Sequence, residues 1–155
     1  MQPNELIEAA RLLARTGGGS AAPQTYLRRA VSTAHYGLFH CLCRAAADTL
    51  VGEAGDGDAT WARVYRGLDH GSAKRTCRNA AFLAELPEEL RFFAEAFAAL
   101  QEKRHIADYE PNAPFRTSQV EEDIDLADLA IARFRAAPPR DRRTLAAAVL
   151  FERRA

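Results

Sequence analysis

Apolar residues in this chain recur every three or four positions, and no alternating apolar–polar run of useful length occurs, which predicts helices without strands. Leu6, Ala9, Ala10 and Leu13 follow Asn4, a good N-cap, and define a first helix over about residues 4–14. The run Gly17-Gly18-Gly19-Ser20 ends it in a flexible turn. Pro23 suits the first turn of the longest helix, residues 23–50. Residues 51–58 read as a loop. Shorter helices are expected over residues 60–68 and 72–83, with a break around Gly71. Pro87, followed by Glu88 and Glu89, opens a long helix that runs to about Asp108. Pro111 and Pro114 enforce a loop. Ser118 and Glu121 have capping-box spacing and lead an acidic first turn. Val120, Ile124, Ala127, Ile131 and Phe134 form the stripe of the next helix, which Pro138-Pro139 ends. A last short helix is expected over residues 141–151. Short links between long amphipathic helices imply antiparallel neighbours. The expected fold is therefore all-α: one domain over residues 1–155, an up-and-down bundle of four to five helices. Its core spans about residues 4–136, and residues 137–155 form a helical extension led by the two prolines.

Composition changes this picture little. The chain has 155 residues and 48 % hydrophobic residues, enough for a sizeable core. Its 21 basic and 21 acidic side chains balance, so net charge does not advertise a polyanionic partner. Charge is locally uneven. Arg63, Arg66, Lys74, Arg75 and Arg78 cluster in residues 61–80, and Glu121, Glu122, Asp123, Asp125 and Asp128 in residues 120–130. These are either solvated helix faces or complementary surfaces of two subunits. Cys41, Cys43 and Cys77 fit neither a zinc spacing nor a redox pair and read as small buried hydrophobes. No metal or cofactor motif is present, and the Gly run lacks the strand, lysine and helix of a phosphate loop. The start of the chain shows no signal pattern and no apolar run is long enough for a membrane span, so the expected location is the cytoplasm, with no membrane partner.

Two stripes depart from ordinary core. On residues 23–50, Leu27, Val31, Ala34, Leu38, Cys41, Leu42 and Ala45 share one face. Arg29, Ser32, Tyr36, His40 and Cys43 share the opposite face, with Phe39 beside it. A cation, a hydroxyl, a phenol and an imidazole suit a partly buried polar seam. On residues 88–108, the apolar stripe Leu90, Phe93, Phe97, Leu100, Ala107 is interrupted by Arg104. A cation on a core-facing position needs an acceptor. Asp108 lies one turn on and can pair with it. A guanidinium in a cleft can equally grip a phosphate. His105 and Tyr109 are adjacent.

These residues carry a resemblance. The segment YLRRAVSTAHYGLFHCL, residues 26–42, resembles the signature helix of bacterial and archaeal HEPN-domain proteins, an R-A-(apolar)-S-x-A-Y-Y-A-(apolar)-F-H string. Arg29, Ala30, Ser32, Ala34, Tyr36, Phe39 and His40 match, and His35 stands where the first tyrosine often does. KRHIADYEP, residues 103–111, resembles the R-x-x-A-D-Y element of the same family through Arg104, Ala107, Asp108 and Tyr109. The resemblance implies an up-and-down helical fold and a homodimer. It further implies either metal-independent ribonuclease activity through an R-x4–6-H motif, or a toxin held by a nucleotidyltransferase antitoxin, or a protein without catalysis. The chain departs from the nuclease motif, because Tyr109, Glu110 and Pro111 stand where its histidine is expected. Tyrosine, with its pKa near ~10, is a weak base at neutral pH. Arg29 to His35 and Arg63 to His70 also fit the spacing.

Three functions follow as expectations. The first is a dimeric binding module that takes a nucleotide, RNA or a protein partner at Arg29, Ser32, Tyr36, Arg104 and Asp108. The second is a toxin-type endoribonuclease with Arg104, Tyr109 and His40 around the scissile phosphate. The third is a structural adaptor. The two stripes separately predict that Arg104, Asp108 and Tyr109 approach Ser32, Tyr36 and His40 to form one polar cleft.

Overall fold

The structure, a computed structural model, describes residues 1–53 and 57–152. Among these residues there are eight helices and no strand: α1 (Pro3–Gly17), α2 (Pro23–Val51), α3 (Ala59–Gly67), α4 (His70–Arg78), α5 (Ala80–Glu85), α6 (Glu88–Tyr109), α7 (Thr117–Ala136) and α8 (Pro139–Leu150). The four long helices form a ring in the order α1, α2, α6, α7, and cross-helix pairs fix their directions. A Cβ on Gly17 would meet Tyr26, and one on Gly37 would meet Ile7 at 3.1 Å, so α1 runs antiparallel to α2. Arg28 meets Ala107 and Tyr36 meets Arg104, so α6 is antiparallel to α2. Lys103 pairs with Asp123 and Phe93 with Phe134, so α7 is antiparallel to α6. Arg11 reaches Asp125 and Asp128, and Asn4 reaches Arg135, which closes the ring. At Gly37 a β-carbon would crowd the Ile7 side chain, so glycine lets α1 lie close on α2.

In α2, α6 and α7 the core is built from the predicted stripes, whereas α1 buries Ile7, Ala10 and Ala14, with Leu6 and Leu13 only half-buried and Ala9 exposed. Leu27, Val31, Leu38 and Leu42 of α2 are buried with Leu90, Phe93, Phe97 and Leu100 of α6 and Val120, Ile124, Ile131 and Phe134 of α7. Ile7, Ala10 and Ala14 close one side, and Leu145 and Val149 of α8 another. Burying a side chain such as Leu or Phe contributes roughly 1.5–3 kcal/mol, so these stripes dominate the packing. All three cysteines are buried and unbonded, and burial pushes each thiol up to about 12, which keeps it protonated and inert.

Several local expectations change. The N-cap of α1 is Gln2 rather than Asn4, because Pro3 takes the first helical position, and Asn4 Oδ1 instead accepts from Arg135 at 2.8 Å. α2 continues to Val51 and ends at Gly52, whose φ of +100° excludes most side chains. Residues 54–56 of the expected loop lie outside the described residues. The break expected at Gly71 falls at Leu68, because the Asp69 carboxylate caps α4 by accepting from Ser72 N–H at 2.8 Å. The helix expected over residues 72–83 is two helices, divided where Asn79 caps α5 through Phe82 N–H. Ser118 and Glu121 form no capping box: α7 already starts at Thr117 behind Arg116, so both lie inside the helix and its first turn carries no acid. These short capped helices raise the count above the four or five expected. No helix is long and apolar enough to cross a membrane among the described residues.

Candidate functional site

The polar seam of α2 faces the interrupted stripe of α6. Three α2 residues spaced by four, Arg28, Ser32 and Tyr36, lie on one face and meet the last turns of α6. The Ser32 hydroxyl donates to Asp108 Oδ1 at 2.7 Å. Arg104 Nε donates to the other carboxylate oxygen, Oδ2, at 3.0 Å. The Arg104 guanidinium lies 5.3 Å from the centre of the Tyr36 ring, a cation–π distance. The Arg104 and Asp108 side chains are 20 % and 21 % exposed, so the pair is neither sealed nor fully solvated. Only Nε of Arg104 is used. No acceptor among the described residues engages its two terminal nitrogens, and neither is a buried orphan.

A second layer lies beneath. His35 is fully buried, and neither ring nitrogen has a partner. Its ring stacks on His70 at 5.7 Å and tilts against Phe97 at 5.2 Å. Burial first, and the charges of His70 and Arg104 after it, push His35 down to about 3, so it is neutral. His70 stacks face to face on Phe39 at 3.5 Å. Its pKa is lowered, chiefly by burial and then by the Arg104 charge, against an opposing pull from Asp69. His40 is lowered by burial and hydrogen-bonds the Tyr65 hydroxyl through Nδ1. An aromatic row runs from Trp61 to Tyr65 at 5.1 Å, to His40 at 5.6 Å and to Tyr36 at 6.3 Å. Arg44 lies over Trp61 at one end and Arg104 over Tyr36 at the other.

Of the residues expected at the site, Ser32, Tyr36, Arg104 and Asp108 therefore meet directly. His40 joins through Tyr36 and turns to Tyr65. Arg29 is exposed and makes no ion pair among the described residues. Tyr109 is 64 % exposed and contacts the His105 ring at 5.0 Å rather than the seam, so this chain alone does not bring Arg104, Tyr109 and His40 around one point. Among the described residues no group of three or more His, Cys, Asp or Glu side chains could hold a metal ion.

Comparison with known proteins adds nothing to this. No family model, curated protein or solved structure matches the chain.

Sequence reasoning missed His70, Tyr65 and Arg28. His70 opens α4 directly after its Asp69 cap, so its imidazole is delivered to the seam by a helix boundary placed too late. Arg28, next to the exposed Arg29, stands four residues before Ser32 and so shares its face of α2. Most of the basic cluster is matched inside the chain: Lys74 and Arg78 reach Glu102, and Arg75 reaches Glu152. A groove of about 710 Å³ opens between α4, α5 and α8 around Phe82 and Phe151 and contains none of the seam residues. It is mostly apolar and open, and no orphaned polar atom of the described residues lines it.

Proposed function

We propose that this chain is a HEPN-like module that binds the phosphate of an RNA or nucleotide at Arg104. The observation that supports this reading is the half-satisfied guanidinium of Arg104. Asp108 holds it by Nε, the Tyr36 ring lies 5.3 Å away, and its terminal nitrogens have no acceptor among the described residues on a side chain that is 20 % exposed. Such a fork matches two phosphate oxygens. The Ser32–Asp108 bond fixes the carboxylate, so the guanidinium is oriented before a ligand arrives. Tyr36 and His40 offer ring surface beside the phosphate position, which suits a base. In this proposal the module works as a homodimer, alone or held by a nucleotidyltransferase-type partner, as the resemblance implies.

The endoribonuclease reading has one observation in its favour. His40 and His70 are held neutral close to the seam, and a neutral imidazole is a competent general base. Tyr109 does not supply the acid from within one chain, so catalysis would require it from a second subunit.

Fluorescence anisotropy of a labelled, 5′-phosphorylated single-stranded RNA tests the binding reading at physiological salt. Wild-type protein is expected to bind, and Arg104→Ala to lose affinity with its helical spectrum and melting temperature nearly intact. If Arg104→Ala instead lowers the melting temperature and leaves binding unchanged, Arg104 is only a structural partner of Asp108. Cleavage of the same RNA without metal would decide for the nuclease.

A further inference from the structure

We infer that Arg28 is a positioning residue for this site: it closes the open end of α6 and so fixes the Asp108 carboxylate that orients Arg104. The inference rests on the phosphate-binding reading above. A helix ends with four carbonyls that lack N–H partners inside it. At the end of α6 one side chain takes one of them, Ala107 O, together with two carbonyls from the following loop, and it also reaches Ile106 O, which already accepts the Glu110 N–H. Arg28 Nη1 donates to Ala107 O at 2.8 Å and, at longer reach, to Ile106 O at 3.4 Å. Its Nη2 donates to Ala113 O at 2.7 Å and Pro111 O at 3.2 Å. The guanidinium also lies 5.2 Å from the centre of the Phe115 ring. One turn earlier on α2, Gln24 donates to Phe115 O at 2.8 Å and accepts from Phe115 N–H at 2.9 Å. The link from α6 to α7 is thus strapped to the start of α2 at several points.

This strap has a direct consequence for the site. The carbonyl that Arg28 holds at 2.8 Å belongs to Ala107, and the next residue is Asp108. Arg28 and Ser32 are four apart on α2, so they grip neighbouring residues of α6 from one rigid face. The carbonyl anchor sets where the carboxylate stands, and Ser32 and Arg104 then bond its two oxygens. Arginine is required here. Its planar fork spans carbonyls on both sides of the turn, whereas a lysine ammonium is a point donor that serves one side.

Arg28→Met and Arg28→Lys in the full chain test the inference with two readouts. The first is affinity for the 5′-phosphorylated RNA, measured at matched folded fraction. It is expected to fall about three- to tenfold in both variants, and the effect of Arg28→Met is expected to be non-additive with that of Ser32→Ala. The second is the Arg104 Nε–Hε resonance, which is protected by Asp108 in the wild type and is expected to exchange faster in the variants. Unchanged affinity with an unchanged resonance overturns the inference while the phosphate reading stands. If the wild type binds no RNA, the phosphate reading falls, and the resonance alone decides: faster exchange supports the positioning role and a wild-type resonance overturns it. Should Arg28→Met fail to fold, Arg28→Lys, which keeps charge and stem, carries both readouts.

Discussion

Two arginine–carboxylate clusters on this bundle use the same chemistry in opposite ways. On the α1–α7 edge, Arg11 Nη1 donates to Asp125 at 2.6 Å and Nη2 to Asp128 at 2.9 Å. Both terminal nitrogens are occupied, the two carboxylates are 67 % and 50 % exposed, and the cluster joins two helices. On the α2–α6 seam, Arg104 is held by Nε alone, and its terminal nitrogens remain for another acceptor. The layers beneath differ as well. Under Arg11 lies the aliphatic side of the bundle, whereas near Arg104 lies a pair of neutral histidines, one with no hydrogen bond at either ring nitrogen. A satisfied guanidinium at a water-exposed edge adds little to stability and offers nothing to a ligand. A half-satisfied one over a desolvated layer is the arrangement that favours an incoming anion.

The largest expected effect separates those two layers by pH. Folding lowers His35 from 6.5 to about 3, so between these values the unfolded chain binds a proton that the folded chain refuses. Stability associated with His35 is therefore complete above about 6.5 and declines as the pH falls toward 3. The loss is on the order of 3–5 kcal/mol, and His70 and His40 act in the same direction. Chemical denaturation of His35→Leu is expected to show a flatter acid limb than wild type. Parallel limbs would show that the histidine layer is not what sets the seam apart.

The next effect is on the guanidinium itself. Arg104→Ala is expected to weaken RNA binding by ~10–100-fold, the range for losing charge-assisted hydrogen bonds, while Arg11→Ala leaves binding at the wild-type level. Equal losses for the two would erase the distinction between the clusters. Ser32→Ala sharpens it further. Asp108 Oδ1 loses its donor, and affinity is expected to fall about three- to tenfold. The smallest effect is on the α1–α7 edge, where Arg11→Ala is expected to shift the melting temperature by less than about 2 °C.

Much of the seam is legible in the sequence because it breaks a pattern. Arg104 occupies a core position of an apolar stripe, and Tyr36 and Ser32 stand where a solvated face carries Lys and Glu. Periodicity also places the long helices, because their burial follows a single repeat. It fails where a boundary rests on one capping side chain. Asp69 and Asn79 each start a helix by accepting one backbone N–H, and apolar spacing carries no record of that choice. His70 and the division into α4 and α5 are missed for that reason. Arg28 is missed for another: its partners are carbonyls some eighty residues away, and main-chain acceptors have no sequence signature. Tyr109 is expected in the seam from its place in the element that begins at Arg104, but five residues along a helix turn a side chain well away from that face. Local charge misleads in a similar way, since the basic cluster of α4 is matched by Glu102 and Glu152 from distant parts of the chain.

The most direct measurement is a two-dimensional NMR titration of the full chain with a nucleoside monophosphate, following backbone amides and the Arg104 side chain. The account predicts that Ser32, Tyr36, Arg104 and Asp108 shift together at saturating ligand, with the Arg11 edge silent. It is contradicted if those four stay fixed throughout, or if the shifts collect at Arg11, Asp125 and Asp128 instead.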